Sequence, residues 1–259
     1  GGYNALDYLV KVRGFSFVEA VETLMGKAAV MPTLTVKPKQ SEKPKILLLP
    51  DKSKTTDKIR EYLFRRGIDG MIADECIKKG VIFESLPYHN IVFVGFDENK
   101  KPKYAAFRAT NSRRILGDCS GSDKHYSFRL ADSESNEVHL FECAIDLLSY
   151  ATLSKLSGKD WRKENLVSLA GVYLPKEKIE DSTTPAAVIK YLTDRPDIQK
   201  IHIHFDNDNA GRKATQALKV ILPKRYEIFD EPPKKGKDYN DYLCIQLGIW
   251  KSKERNFER

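Results

Sequence analysis

The sequence predicts an α/β protein in which helices flank a central parallel sheet, preceded by a smaller α+β subdomain and a short helical segment. In the second half of the chain, short apolar strands alternate with amphipathic helices, which is typical of parallel sheets with right-handed crossovers. Between residues 56 and 133, two helical patterns precede strand patterns joined by turns. A hydrophobic content of 41% in 259 residues is enough for one large domain or two small ones.

The first 55 residues predict a helical segment followed by a linker. Residues 1–26 contain two short helical patterns divided at Gly14, and Ser16 forms a capping box with Glu19. Residues 27–55 are rich in Lys, Pro, Ser and Thr, and four prolines interrupt any long element. We therefore expect a linker that is extended in part.

Residues 56–133 predict the α+β subdomain. A capped helix runs from Thr56 to Gly67, and a second helix runs from Ala73 to Lys79. Residues 91–96 and 104–108 form an expected hairpin around the turn at residues 97–100.

Residues 134–259 predict repeated strand–helix units. Four apolar strands are expected at residues 138–141, 166–171, 201–205 and 226–229. The expected helices begin just after residue 142, near Thr184 and at Ala210. Gly171 ends the second of these strands, as expected where the backbone must turn sharply.

Acidic residues follow two of these strands directly. Glu142 ends the first strand, and Asp206 and Asp208 end the third. Because parallel strands place their ligand sites at the carboxyl edge, we expect the three carboxylates to point from one edge. Two carboxylates one residue apart can converge on Mg²⁺, although an isolated Asp-x-Asp is more often a solvated turn.

The order of these motifs resembles the Toprim domain, which is shared by DnaG-type bacterial primases, topoisomerases and some nucleases. The resemblance covers Val138 to Leu247: a strand ending in Glu142, a strand ending in Gly171, the Asp206-x-Asp208 motif, and Lys237-Asp-x-Asn-Asp. Cys143 departs from the Gly that many members carry there, but every carboxylate is in place.

The resemblance implies a site that binds Mg²⁺ or Mn²⁺, with Glu142, Asp206 and Asp208 as catalytic residues and metal ligands. Glu142 would share the metal or act as general base. Asp238 would complete the acidic cluster or, equally well, cap the last helix. Asp146 and Gly171 would support the site from behind the metal ligands.

The upstream segments resemble parts of primases. Residues 1–26 look like the tail of a zinc-ribbon module, so we expect a fragment of a longer protein, with zinc bound only in the missing module. Residues 56–133 resemble the first half of a primase catalytic core. Pieces such as Gly121-Ser-Asp-Lys124 look like Toprim proteins of mobile and conjugative elements.

Basic residues are expected to contact nucleotide or template phosphates, because phosphate contact is electrostatic and independent of base sequence. The alternatives are surface charges or, for those next to the Asp pair, a salt bridge to a neighbouring acid. The candidates are Arg108, Arg113, Arg114, Lys124, Arg212, Lys213 and Lys237.

Composition narrows the class of protein. The net charge of +8 favours a polyanionic partner. No apolar run approaches a membrane span, and the four separated cysteines indicate reduced thiols in the cytoplasm. His202 and His204 share one strand face, but without a third ligand nearby in sequence we expect them to be packing residues.

The combined prediction is a DnaG-like primase that makes RNA primers on single-stranded DNA from nucleoside triphosphates, with a replicative helicase as an expected partner. A Toprim nuclease that cleaves DNA or RNA, and a non-catalytic nucleic-acid-binding module, are the alternatives. A topoisomerase would need an active tyrosine on a further domain, for which this chain has no room.

Overall fold

The structure, a computed structural model, describes Leu9 and residues 46–113, 115–171 and 173–249. Apart from Leu9, these residues lie within one compact unit, residues 45–259. The rest of the helical segment predicted for residues 1–26, the linker up to residue 45, and Arg114 lie outside the described residues. None of the helices within the described ranges is long and apolar enough to cross a membrane.

The two helices of the α+β region are α1 (Asp57–Arg65) and α2 (Gly70–Lys78). Helix α2 begins three residues earlier than predicted, because the Asp69 carboxylate caps it by accepting from the backbone N–H of Met71 at 2.9 Å. Helix α1 is not capped by its own Thr56. Instead, the Glu84 carboxylate accepts from the backbone N–H of Lys58 at 3.0 Å.

Four antiparallel strands follow α2 in the order in which they occur along the chain: β1 (Ile82–Glu84), β2 (Ile91–Phe96), β3 (Pro102–Arg108) and β4 (Leu116–Asp118). The predicted hairpin is confirmed, with Phe93 opposite Ala106. The described end of the predicted linker is attached to this sheet, since the Leu48 N–H donates to the Ser120 carbonyl at 2.9 Å.

The strands of the second sheet are β5 (Arg129–Leu130), β6 (Glu137–Phe141), β7 (Asn165–Ser168), β8 (Lys200–Ile203) and β9 (Glu227–Asp230). They lie in the order β5-β7-β6-β8-β9, and only β5 is antiparallel to its neighbour. The predicted α/β class is therefore confirmed. The helices of this region are α3 (Ala144–Leu156), α4 (Ala186–Asp194), α5 (Asn209–Ile221) and α6 (Tyr239–Gln246). Short 3₁₀ turns occur at Lys124–Tyr126, Trp161–Lys163 and Ile179–Asp181.

One hydrophobic core joins the two predicted parts of the chain. Ile59 and Leu63 of α1 are fully buried in the same cluster as Leu147 and Leu148 of α3. Leu243 of α6 closes that cluster. The domain boundary predicted between residues 133 and 134 stays a prediction. Helices that precede it and helices that follow it share this core.

Candidate active site

The three predicted carboxylates lie at the carboxyl edge of two neighbouring strands. Glu142 directly follows β6, and Asp206 follows the end of β8 by three residues. The Asp206 backbone N–H donates to Glu142 Oε1 at 3.1 Å. The parallel pairing of β6 with β8 therefore brings together residues 64 positions apart.

The loop that carries the Asp pair is held against helix α5. Asp208 is the N-cap of α5, and its Oδ1 accepts from the Gly211 N–H at 2.9 Å. A Cβ atom at Gly211 would lie 2.1 Å from the Asp206 carbonyl oxygen, so only glycine allows this approach. The first turn of α5 thereby fixes the direction of both carboxylates.

Lys237 places its ammonium group between the two aspartates. Its Nζ lies 2.9 Å from Asp206 Oδ2 and 3.2 Å from Asp208 Oδ2. A backbone hydrogen bond holds the lysine at this position: the Asn207 N–H donates to the Lys237 carbonyl at 2.7 Å. The hydrogen bond to Asp206 raises the pKa of Lys237 above its usual value. A cation thus already bridges two carboxylate oxygens, and such a donor set fits Mg²⁺ or Mn²⁺.

The pKa values of the three carboxyl groups are shifted in different ways. Burial, and then the charge of Asp206, raise the pKa of Glu142 to about 7. Burial also raises the pKa of Asp206, although the Lys237 ammonium opposes the shift. The Gly211 N–H lowers the pKa of Asp208. Glu142 is therefore the group of the three that can take or give a proton near neutral pH.

Asp238 and Asp146 lie behind this edge. Asp238 caps α6, and its Oδ1 accepts from the Asp241 N–H at 2.7 Å. Asp146 accepts from the Cys143 thiol at 2.9 Å and from the Asn240 N–H at 3.3 Å. Burial raises the pKa of Asp146 and of Asp238. The structure thus gives Asp238 the capping role that the sequence allowed, close enough for its charge to act on Asp146.

Gly171 supports the turn below Glu142. Its N–H donates to the Glu142 carbonyl at 3.0 Å, and its φ is +115°. Ala170 before it also has a positive φ, of 61°. The sharp turn expected at this glycine is therefore present.

Two of the basic candidates from the α+β region lie near the acidic edge. Lys124 Nζ donates to the Ala170 carbonyl at 3.0 Å and lies 3.3 Å from Asp118 Oδ2. The positive charge of Arg108 acts on the Cys143 thiol, which adjoins Glu142 in sequence. Lys124 therefore contacts the residue before Gly171, whose N–H donates to the Glu142 carbonyl, and Arg108 acts electrostatically on the residue after Glu142.

The remaining basic candidates are placed differently. Arg212 donates to the carbonyls of Phe205 and Asp206 and pairs with Asp230 at 2.7 Å, which is the salt-bridge alternative. Lys213 is exposed on α5. Arg113 is exposed and lines a groove of about 590 Å³ beside the antiparallel sheet.

The sequence analysis missed two residues around these strands. Asp241 Oδ2 accepts from the Lys237 N–H at 3.0 Å and so helps to hold the bridging lysine. His139 lies opposite His202 in the parallel pairing of β6 with β8. Its Nδ1 is 2.8 Å from His204 Nε2, so the third histidine that seemed absent near residues 202 and 204 comes from another strand. The alternating polar residues 137 and 139 of β6 were the signal that could have revealed it.

Comparison with known proteins agrees with this geometry. Residues 139–243 match the family model described as Toprim-like. This part of the chain is similar to Toprim-like domains. Residues 61–134 match a second family, described as a protein of unknown function (DUF3991).

A curated relative carries both sequence similarity and a plasmid designation. It is an uncharacterized protein of Bacillus anthracis, pXO2-78, which is 27% identical over 197 residues. The match covers 67% of this chain and 49% of the relative, so the chain spans about half the length of this relative. The likeness is consistent with a Toprim protein of a mobile element.

Solved primases share a similar arrangement at low identity. The primase fragment of the bacteriophage T7 primase-helicase is 20% identical, with 72% of this chain and 69% of that chain covered and a TM-score of 0.47. The E. coli primase catalytic core is 13% identical, with 75% and 70% covered and a TM-score of 0.49. The Aquifex aeolicus primase (zinc-binding and RNA polymerase domains) is 15% identical, with 96% and 68% covered and a TM-score of 0.48. Because each score is below 0.5, no residue role is transferred from these structures.

Proposed function

We propose that this chain is the catalytic core of a metal-dependent, DnaG-like primase that makes short RNA primers on single-stranded DNA. The observation that carries the proposal is the acidic edge of the Toprim-like region, where Asp206 and Asp208 hold the Lys237 ammonium and the Asp206 N–H donates to Glu142. Basic side chains of the adjoining α+β region support it, since Lys124 reaches the same edge.

The chain's own groups can be assigned to steps of nucleotidyl transfer. Asp206 and Asp208, with Glu142 and Asp238 as further carboxylates, would hold Mg²⁺ or Mn²⁺, which lowers the pKa of the attacking 3′-hydroxyl and neutralises the triphosphate. The Asp206 N–H fixes Glu142 Oε1, so we assign Oε2 as the oxygen that accepts the hydroxyl proton. A pKa of about 7 suits Glu142 to that exchange.

Positive groups at the edge would bind the phosphates. Lys237 would leave the two aspartates when a metal ion arrives and then contact the triphosphate, as a mobile point charge can. Lys124 and Arg108 would hold template or nucleotide phosphates without reading the base sequence. Arg212 would keep its structural contacts with the carbonyls of Phe205 and Asp206.

The proposal includes partners and a setting. Single-stranded DNA and nucleoside triphosphates would be the substrates, and a replicative helicase is the protein partner that the primase resemblance implies. The plasmid designation of the pXO2-78 relative supports a mobile-element setting. We propose that the protein acts there in replication or transfer of the element, in the cytoplasm.

A primer-synthesis assay tests the proposal. Single-stranded DNA, labelled ribonucleotides and Mg²⁺ or Mn²⁺ are supplied to the wild type and to the double variant Asp206→Asn/Asp208→Asn. Asp132→Asn is the matched control, because its side chain is 88% exposed and lies after β5. We expect metal-dependent oligonucleotides from the wild type and the control, and none from the double variant.

Other outcomes favour the alternatives. Shortened DNA or RNA that depends on the same two aspartates would instead identify a Toprim nuclease, in which water replaces the hydroxyl. DNA binding without metal and without any product would leave a binding module. Because the chain covers about half of its relative, the longest natural form of the protein is assayed in parallel.

A further inference from the structure

A cluster of histidines and glutamates lies on the face of the parallel sheet that packs against α3 and α6. It comprises Glu137 and His139 of β6, His202 of β8, His204 just after β8, and Glu231 just after β9. The rings of His139 and His202 stack at 4.5 Å, and those of His139 and His204 at 5.1 Å. The proposed primase chemistry uses none of these residues.

His204 is oriented by its second ring nitrogen. Its Nδ1 lies 2.8 Å from the Tyr239 hydroxyl and 3.2 Å from the Glu231 carbonyl, and the Tyr239 hydroxyl itself donates to that carbonyl at 2.9 Å. Nδ1 therefore carries the proton, and Nε2 presents a lone pair. A histidine whose other N–H is held by a backbone carbonyl is the usual arrangement of a metal ligand.

His202 lies beside the same place and faces the same carboxylate. Its Nε2 lies 3.2 Å from Glu137 Oε2 and donates to it, and Glu137 is further held by Lys200 at 2.9 Å. Nδ1 of His202 is buried without a hydrogen-bond partner in the described structure, 3.3 Å from Glu231 Oε2. The buried Nδ1 of His202 thus faces the Glu231 carboxylate.

The Glu231 carboxylate faces two imidazole nitrogens. Its Oε2 lies 3.5 Å from His204 Nε2 as well as 3.3 Å from His202 Nδ1. Among the described residues, these two histidines are the only ion-pair partners recorded for Glu231. A divalent cation between the carboxylate and the lone pair of His204 Nε2 would bind both.

We propose that His139 Nδ1, His204 Nε2 and the Glu231 carboxylate form a binding site for a divalent transition-metal ion such as Zn²⁺, distinct from the acidic edge. The ligand atoms of these residues all lie within 4.8 Å of one another. Ligands at about 2.0–2.1 Å from zinc are about 3.4 Å apart in a tetrahedron. The measured separations of 2.8 Å (His139–His204) and 3.5 Å (His204–Glu231) lie close to that value.

The donor set selects the kind of metal. Imidazole nitrogen suits Zn²⁺ and its neighbours, whereas Mg²⁺ prefers oxygen ligands such as those of the acidic edge. The two histidines are buried, while the Glu231 side chain is 44% exposed and gives the ion a route from solvent. On binding, His139 would carry its proton on Nε2, and a water molecule would fill the fourth position. The site is independent of the proposed primase activity.

Zinc titration of the metal-free full chain tests the site. The protein is stripped with a chelator and titrated with Zn²⁺ in millimolar Mg²⁺, and bound zinc is measured by competition with a chromophoric indicator. We expect one Zn²⁺ per chain in the wild type. Glu231→Gln should weaken the affinity by at least about tenfold. Glu227→Gln is the matched control, since it changes an exposed glutamate at the start of β9, four residues before Glu231, and it should bind like the wild type.

A second measurement needs no variant of the site. Histidine ¹⁵N NMR of the wild type should show zinc-dependent shifts at Nδ1 of His139 and Nε2 of His204, while His125 stays unchanged. Asp206→Asn/Asp208→Asn should keep the zinc site, which separates it from the proposed primase centre. Unaltered histidine spectra or an equal zinc affinity in Glu231→Gln would overturn the proposal. So would thiolate charge-transfer bands after Co²⁺ replaces Zn²⁺, because they would show that cysteines bind the metal.

Discussion

Asp208 carries two functions that one substitution can separate. Its carboxylate caps α5 through the Gly211 N–H and also lies beside the Lys237 ammonium. An amide caps a helix as well as a carboxylate does, but it does not supply a negative charge to a metal ion. The cap and the charge therefore respond differently to Asn and to Ala.

We expect Asp208→Asn to keep the free energy of unfolding and to lose metal-dependent activity. Asp208→Ala should lose the activity as well and lower the free energy of unfolding by about 1 kcal/mol, because the cap is removed. Urea denaturation and primer synthesis measure the two effects. Equal stability of both variants would contradict the capping role.

Lys237 places its ammonium at the position where we propose that a metal ion binds. Its ammonium bridges Asp206 and Asp208, so an incoming cation must displace it. We expect Lys237→Gln to bind Mg²⁺ or Mn²⁺ more tightly, because the displaced positive charge is gone, and to raise KM for nucleotides, because a phosphate contact is lost. Metal-induced thermal shifts and steady-state kinetics measure the two quantities. Exposed Lys213→Gln, on the neighbouring helix, should change metal affinity much less. Weaker metal binding in Lys237→Gln would contradict this role.

Among the elements, the first turn of α5 decides where the loop that carries Asp206 and Asp208 lies. Gly211 approaches the Asp206 backbone so closely that an added Cβ would lie 2.1 Å from its carbonyl oxygen and 2.9 Å from its carbonyl carbon. Backbone cannot yield as a flexible side chain can. The helix and the acidic loop must therefore move apart if this position gains a side chain.

We expect Gly211→Ala to lower the free energy of unfolding by about 1–3 kcal/mol. It should also reduce primer synthesis, although the substitution leaves the charge of the site unchanged. Gly70→Ala is the matched control: it also lies in the first turn of a helix, and nothing is within 4 Å of its added Cβ. That control should be neutral or slightly stabilising. A Gly211→Ala protein with wild-type stability and kinetics would show that the close approach does not matter.

The sequence predicted these elements well because strand and helix periodicity is local. The strands ending near Glu142 and Asp206 were expected from alternating apolar residues and are present. The start of α2 was misplaced by three residues, because Asp69 rather than the apolar pattern sets it. The cap of α1 could not be predicted from local sequence. The Lys58 N–H donates to the carboxylate of Glu84, which lies 26 residues further along the chain.

At the scale of the whole molecule, Asn240 ties the two predicted parts together. Its side chain is buried at 2% exposure, donates to the Arg66 carbonyl at 2.8 Å and to Ser149 Oγ at 3.0 Å, and accepts from Arg66 Nη1 at 2.9 Å. Arg66 follows α1, whereas Ser149 is in α3. The contact therefore reinforces the shared hydrophobic core.

We expect Asn240→Ala to lower the free energy of unfolding by about 1–3 kcal/mol, since buried partners are left without hydrogen bonds. The described unit should still unfold in one transition, because both parts share one core. Tryptophan fluorescence and far-UV circular dichroism in urea should give the same midpoint. Asn99→Ala, an exposed turn residue, is the control and should be neutral. Two separate transitions in the wild type would mean that the parts unfold independently.

The sequence by itself determined the α/β class, the order of strands and helices, and the carboxylates at strand ends, because these follow from local periodicity and turn residues. Only the tertiary structure decided that Lys237 bridges Asp206 and Asp208, and that His139 meets His204. Those contacts join segments 29 to 65 residues apart, and they depend on which strands pair and how the loops pack. No periodicity within one segment encodes such pairing.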